Sequence, residues 1–316
     1  MKQKLLRSLR PLASLALAAT LLCQAVVAQG ANADAPVDDR GEALVLPNGK
    51  VPKRIVSLLP SLAETICALG ECQRLVGTDR YTNWPDAVKP LPKVGGGIDP
   101  NIEAIVALRP DVVVASVKSR GLERLASLGI PVVALEPKTH ADVQKVMFKL
   151  AYLLRLPDPQ ADAAKVWQQI DQGVTEATSS LPPPAAGTTV YFEVNRAPYA
   201  AGESSFIGET LTRLGARNVV PTALGPFPKL NPEFVVRADP DIIMVGRRNF
   251  DGMTARPGWQ RMRAVKQGRI CVLPDAMSDT VVRPGPRMAE GAEALADCIR
   301  RFAPALVPAS AVESQR

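Results

Sequence analysis

One histidine, a few cysteines, a run of three glycines and a thin scatter of aromatic rings are the residues in this 316-residue chain whose types and spacing could do chemistry. His140 is the sole histidine, so every histidine-based triad and every His-rich metal site would have to be built on one imidazole. In "KTHADV" it reads as a solvent-exposed residue at a helix start. "VGGGIDP", Val94 to Pro100, invites a phosphate-cradle reading. Its glycines, however, follow Pro-Lys instead of a strand and lack the GKS/T or GxGxxG pattern, so they read as a flexible loop lining a cleft. Cys67 and Cys72 in "CALGEC" lack the usual two-residue spacing of a zinc site and have no histidine nearby.

With Cys23 set aside in the apolar leader, Cys67, Cys72, Cys271 and Cys298 remain. An even number in an exported chain fits two disulfides, in any of three connectivities. The favoured pairing is Cys67–Cys72 with Cys271–Cys298. Aromatic side chains number only 14, so their placement carries information. Tyr81 and Trp84 lie in "DRYTNWP", after a second strand, and Tyr199 lies in "NRAPYAAGESS", after the first strand of a second lobe. Ligands of open α/β sheets bind outside the carboxyl ends of strands, so these rings are expected to face one another across a cleft. Trp84, beside Pro85, fits a loop anchor nearly as well.

The elements that must position these residues follow from the apolar pattern. Residues 1–28 have four basic residues, an apolar run from Leu12 to Leu22 and small residues around Ala28, the pattern of a cleaved secretory signal. Without it the formal charge falls from +7 to +3, and no basic run remains of the kind a nucleic-acid binder carries. Residues 29–52, rich in Ala, Asp, Gly and Pro, read as a mobile lead-in. From "RIVSLL" onward, short β-branched runs alternate with helical patterns, which predicts a parallel α/β lobe over 53–156. A helix over 157–182 carries Ala163, Val166, Trp167, Ile170 and Val174 on one face. The scheme then repeats over 183–316. The expected fold is therefore α/β, with two Rossmann-like lobes of parallel sheet joined by a single long helix.

An internal echo supports that duplication. "NIEAIVALRPDVVV" from Asn101 and "NPEFVVRADPDIIM" from Asn231 align without a gap, matching at Asn, Glu, Val, Pro and Asp. Asn is a helix cap, and Glu103 and Glu233 sit in the first helical turn, where the dipole favours a carboxylate. Capping explains each glutamate locally, but not why both lobes keep one.

Taken together, "RIVSLLPSLAETICALG", "DRYTNWP", "LPKVGGGIDPNIEAIVALRPDVVVAS", "YAAGESSFIGETLTRLGARNVV" and "VRPGPRM" resemble the periplasmic binding proteins of ABC importers for iron chelates and cobalamin, over nearly all of residues 53–303. The resemblance implies a monomeric periplasmic protein, without catalysis or a cofactor of its own, that hands a small molecule to an ABC permease dimer with its ATPase subunits. It implies that Glu103 and Glu233 dock onto arginines of that two-fold symmetric permease. The cobalamin binders are the nearest match, and their pattern places ligand contacts at Pro60, Tyr81, Tyr199, Phe227 and the Asp279/Arg283 pair; Trp84 and Gly97 join these as cleft residues. Where cobalamin binders often have a tryptophan, this chain has Gly95, Gly96 and Gly97. Haem or a ferric siderophore is the alternative ligand within the same fold, and an exported enzyme is the alternative from another class.

Overall fold

The computed structural model describes residues 35–181 and 187–302. The signal segment 1–28 lies outside them, as do residues 29–34 of the lead-in, 182–186 and the tail from 303. Runs of Val, Ile and Ala without polar alternation are satisfied as strands only when both faces are covered. Two sheets are built from them. In the first lobe β1 (Ile55–Ser57), β2 (Leu75–Thr78), β3 (Val112–Ala115) and β4 (Val132–Ala134) are all parallel, in the order β2-β1-β3-β4. Helices α1 (Pro60–Ala68), α2 (Ile102–Ala107), α3 (Leu122–Ser127) and α4 (His140–Leu153) connect or follow them.

The predicted linker is α5 (Pro159–Ser179). Pro159 starts it without losing a helical bond, and the Asp158 carboxylate caps it by accepting the Ala161 N–H at 3.0 Å. Ala163, Val166, Ile170 and Val174 form the buried stripe, each large member contributing about 1.5–3 kcal/mol of burial, while Trp167 is only half-buried.

In the second lobe β5 (Thr189–Asn195) is flanked on one side by two short strands, antiparallel β6 (Tyr199–Ala200) and parallel β7 (Arg217–Asn218). On the other side lie parallel β8 (Ile242–Gly246) and then β9 (Ile270–Leu273). The expectation of parallel sheets is corrected only at β6, which returns from β5 through a turn too short for a crossover. Helices α6 (Phe206–Arg213), α7 (Pro232–Ala238), α8 (Asp275–Val281) and α9 (Met288–Phe302) complete the lobe. Gly173 of α5 lets α9 approach closely, since a Cβ there would lie 2.5 Å from that of Ala289.

One continuous apolar core runs from Leu62 and Ile66 in the first lobe, through Leu150, Ile170 and Val174, to Phe192 and Ile242 in the second. The lobes thus share packed helices as well as a linker. Cys67 is bonded to Cys72 and Cys271 to Cys298, the first pair closing the turn after α1 and the second tying β9 to α9. The lead-in expectation needs correction over 35–52. Leu44 and Leu46 are 2% and 5% exposed within the core, which binds this segment to the first lobe.

Candidate ligand-binding site

The carboxyl ends of all four strands of the first sheet open on one cavity of about 430 Å³. Pro60 lines it after β1, Asp79 and Tyr81 after β2, Ser116 and Lys118 after β3, and Glu136 after β4; Val282 to Pro284 close it from the second lobe. This is the placement that a parallel sheet imposes, because its loops and helix starts gather at that edge. Tyr81 and Ile98 line it with 59% of their surface exposed, a large apolar offering. Gly97 also lines it and has no room for a side chain, since a Cβ would meet the Leu58 carbonyl oxygen at 2.6 Å. Its carbonyl accepts the Ser119 hydroxyl, so the glycine loop is held against the loop between β3 and α3.

Electrostatically the lining is acidic. Asp79, Asp99 and Glu136 stand against two cations, Lys118 and Arg283. Both cations are already paired, Lys118 with Glu136 at 2.9 Å and Arg283 with Glu64 at 2.8 Å. Beside the cavity, Arg80 reaches Asp99 at 3.4 Å. Burial pushes the Asp79 carboxyl up from its ordinary value, against the Thr82 hydroxyl and Tyr81 N–H that donate to it.

Arg283, expected to bond a ligand, lines the cavity and is also part of a clasp between the lobes. Its guanidinium donates to Glu64 and Asn83 at 2.8 Å each, to the Tyr81 carbonyl at 3.0 Å and to Asp279 at 3.3 Å. Glu64 on α1 is fully buried and also receives Arg287 at 2.8 and 3.1 Å. Removing Glu64 would leave the buried Arg287 guanidinium without a carboxylate and Arg283 with Asp279 alone, at a cost of about 3–5 kcal/mol. Asp279 bridges Arg283 and Arg248 and does not line the cavity. Sequence reasoning missed Glu64 and Arg287, because a carboxylate within an amphipathic helix pattern and an arginine before the last helix give no signal until the lobes meet.

Three further expected contacts stand elsewhere. Trp84 lies with its ring 5.0 Å from the Arg287 guanidinium carbon, the loop-anchor role, and not at the cavity. Phe227 packs on Phe206 with ring centroids 5.9 Å apart. Tyr199, 38% exposed, sits opposite Asn195 at the carboxyl end of β5, outside the cavity lining. That end of β5 is itself filled: the Glu193 carboxylate, fully buried, receives Arg256 at 2.6 and 2.8 Å and the Tyr191 hydroxyl at 3.0 Å.

His140 begins α4 as expected but is half-buried at the lobe junction, not solvent-exposed. Its Nε2 lies 3.0 Å from the Phe206 carbonyl oxygen and 2.8 Å from the Thr210 hydroxyl. Burial holds the imidazole below its ordinary value, against the pull of Glu209. Glu103 and Glu233 are both exposed in the first turns of α2 and α7 and make no ion pair among the described residues. No group of three or more His, Cys, Asp or Glu among the described residues is arranged to hold a metal ion.

The sequence pattern described as "periplasmic binding protein" matches residues 55–277. The ABC transporter substrate-binding lipoprotein YvrC of Bacillus subtilis (strain 168), itself uncharacterized, is 29% identical over 263 residues, 79% of this chain and 81% of its own. The vitamin B12-binding protein of Pectobacterium carotovorum subsp. carotovorum (strain PC1) is 28% identical over 258 residues, 80% of this chain and 91% of its own. Among solved structures, a periplasmic heme binding protein from Pseudomonas aeruginosa superposes with a TM-score of 0.64 at 26% identity, covering 81% of this chain and 95% of that one.

Proposed function

The chain belongs to the periplasmic binding protein family, and from that premise we propose that it captures cobalamin in the periplasm and delivers it to an ABC permease dimer, as a monomer and without chemistry of its own. The observation that carries the choice of ligand is the charge of the cavity lining: three carboxylates, and two cations that are each already paired. Haem and ferric siderophores present carboxylates or other anionic groups, which would find no unpaired cation in this lining. A corrinoid presents a flat apolar macrocycle fringed by neutral amides. Its ring suits exposed Tyr81 and Ile98, and its amides suit Ser61, Ser116 and the carboxylates as hydrogen-bond partners. Tyr199, exposed at the end of β5, is the candidate for contact from the second lobe. The carrier reading over an enzyme is supported by the position of His140, whose ring is engaged between the lobes and does not line the cavity.

The test is direct. Purified protein incubated separately with cyanocobalamin and with haemin, then desalted, should retain the corrinoid spectrum and lose the haem spectrum. Tyr81→Ala should weaken cyanocobalamin binding by about 1–3 kcal/mol in calorimetry, the value of one buried ring. Stoichiometric retention of haemin with loss of cyanocobalamin would overturn the corrinoid reading.

A further inference from the structure

Residues 35–46 precede the family match, which begins at residue 55, and nothing in the ligand cavity calls for them directly. They run along the open edge of β4. Asp39 donates its N–H to the Ala134 carbonyl at 2.9 Å, the Asp38 carboxylate accepts the Ala134 N–H at 2.9 Å, and Arg40 donates to the Val132 carbonyl at 2.8 Å. Burial opposes a charge on Asp38, yet the N–H groups of Ala134, Glu42 and Arg40 together hold its carboxyl below the usual range. Leu44 and Leu46 anchor the downstream end in the core. The segment is a strap that covers a sheet edge.

Its effect reaches the cavity two residues beyond β4. One oxygen of Asp39 accepts the Glu136 N–H at 2.7 Å, and the other accepts Lys149 at 2.6 Å. Glu136 then turns its carboxylate along the cavity wall, accepting the Ser116 hydroxyl at 2.8 Å and pairing with Lys118 at 2.9 Å. The carboxylate is 16% exposed and the lysine 71% exposed, so Lys118 is the cation that an incoming anion would meet first.

We propose that the strap is a specificity element: through Asp39, a positioning residue, it fixes Glu136 where that carboxylate neutralises Lys118 and turns the cavity against anionic ligands. The proposal rests on the corrinoid reading above. Without the Asp39 carboxylate the Glu136 N–H loses its acceptor, the backbone just beyond β4 is less firmly held, Glu136 leaves Lys118, and a propionate gains an unpaired ammonium.

The experiment compares affinities for cyanocobalamin and haemin in the full-length protein and in Asp39→Ala, Asp39→Asn and Glu136→Gln. Asp39→Ala should raise the haemin-to-cyanocobalamin affinity ratio roughly three- to fivefold, the scale of one partly exposed ion pair, and Glu136→Gln should raise it at least as much. Asp39→Asn keeps a carbonyl oxygen for the Glu136 N–H and should restore the wild-type ratio. A strap that only stabilises the lobe would lower both affinities together and leave the ratio unchanged, which overturns the proposal. Should Asp39→Ala fail to fold, Glu136→Gln decides, because its backbone bond to the strap is intact; an unchanged ratio there is equally fatal. Wild-type protein that takes haemin and not cyanocobalamin sinks the corrinoid reading and the strap proposal together, whereas wild-type protein that selects cyanocobalamin beside variants with unaltered ratios sinks the strap proposal alone.

Discussion

The two copies of the repeated stretch, 101–114 in the first lobe and 231–244 in the second, are built on the same frame but fastened differently. Asn101 and Asn231 cap their helices, accepting the N–H groups of Ala104 and Glu233. Arg109 and Asp239, at equivalent places, both take left-handed backbone conformations with φ of 44° and 42°. Asp111 and Asp241 both pin the start of the first strand of their sheet. In the first lobe Asp111 accepts the N–H groups of Lys53 and Arg54 near solvent, with Lys50 at 2.6 Å. In the second, Asp241 accepts the N–H and hydroxyl of Thr189 in a buried setting, and Arg263 forks onto both Asp239 and Asp241. The shared asparagines and aspartates of the repeat therefore each have a local structural job. The two glutamates have no local contact of this kind beyond their helix starts and are exposed.

The largest expected effect comes from breaking that outward pair. The double variant Glu103→Arg/Glu233→Arg should bind cyanocobalamin as wild type does, because neither residue lines the cavity, yet abolish uptake and stimulated ATP hydrolysis by a reconstituted permease. Single variants should fall between. Normal transport by the double variant would reduce both glutamates to helix-start residues, worth roughly 0.3–1 kcal/mol each.

A smaller effect separates the two fastenings. Asp241→Ala leaves buried donors on Thr189 unpaired and should cost about 2–3 kcal/mol of unfolding free energy. Asp111→Ala exposes its donors to water, which replaces the lost acceptor, so about 1 kcal/mol is expected. Equal losses in urea titrations would show that the lobes are fastened alike after all.

The smallest effect is in acid. Burial opposes the charge of Asp241, but the Thr189 donors with Arg263 and Arg269 hold its carboxyl below the usual range; burial likewise opposes Asp111, and Lys50 with the Lys53 and Arg54 N–H groups wins. A carboxyl lowered in the folded state contributes stability that is complete above its unfolded pKa of about 4 and is lost as the pH falls through the folded value. Melting temperature should therefore drop below about pH 4, less steeply in either alanine variant. An acid limb unchanged by both substitutions would mean that other carboxylates dominate it.

Much of the fold was legible in the chain. Val112 to Ala115 and Ile242 to Gly246 are apolar without alternation, which only strands covered on both faces tolerate, and Asp158-Pro159 marks the start of α5. Tyr81 and Gly97 could be placed at the cavity because they lie just past a strand or in the glycine loop, where a parallel sheet exposes its loops, whereas Pro60 was placed there by the family resemblance alone. The ends of the cysteine pairs were within reach for a similar reason: an even set in an exported chain has few ways to close.

What remained hidden depends on groups far apart in the chain. A helical pattern gives Glu64 a face but not a partner, and nothing local says that Arg283 and Arg287 arrive from the other lobe to neutralise it. The composition of 35–52 suggests a loose lead-in because burial of two leucines among many small residues is too weak a periodic signal, yet the edge of β4 supplies the donors and acceptors that hold the segment down. Trp84 and Phe227 could be recognised as loop aromatics, but whether a ring faces a cleft or a neighbouring side chain is decided by the packing of the lobes. The sequence by itself determined periodicity, strand ends, helix caps and the duplicated frame, all of them short-range consequences of backbone geometry and apolar spacing. Only the tertiary structure decided which charges meet, because a buried ion pair or a covered sheet edge is set by where distant segments come to rest and leaves no periodic trace along the chain.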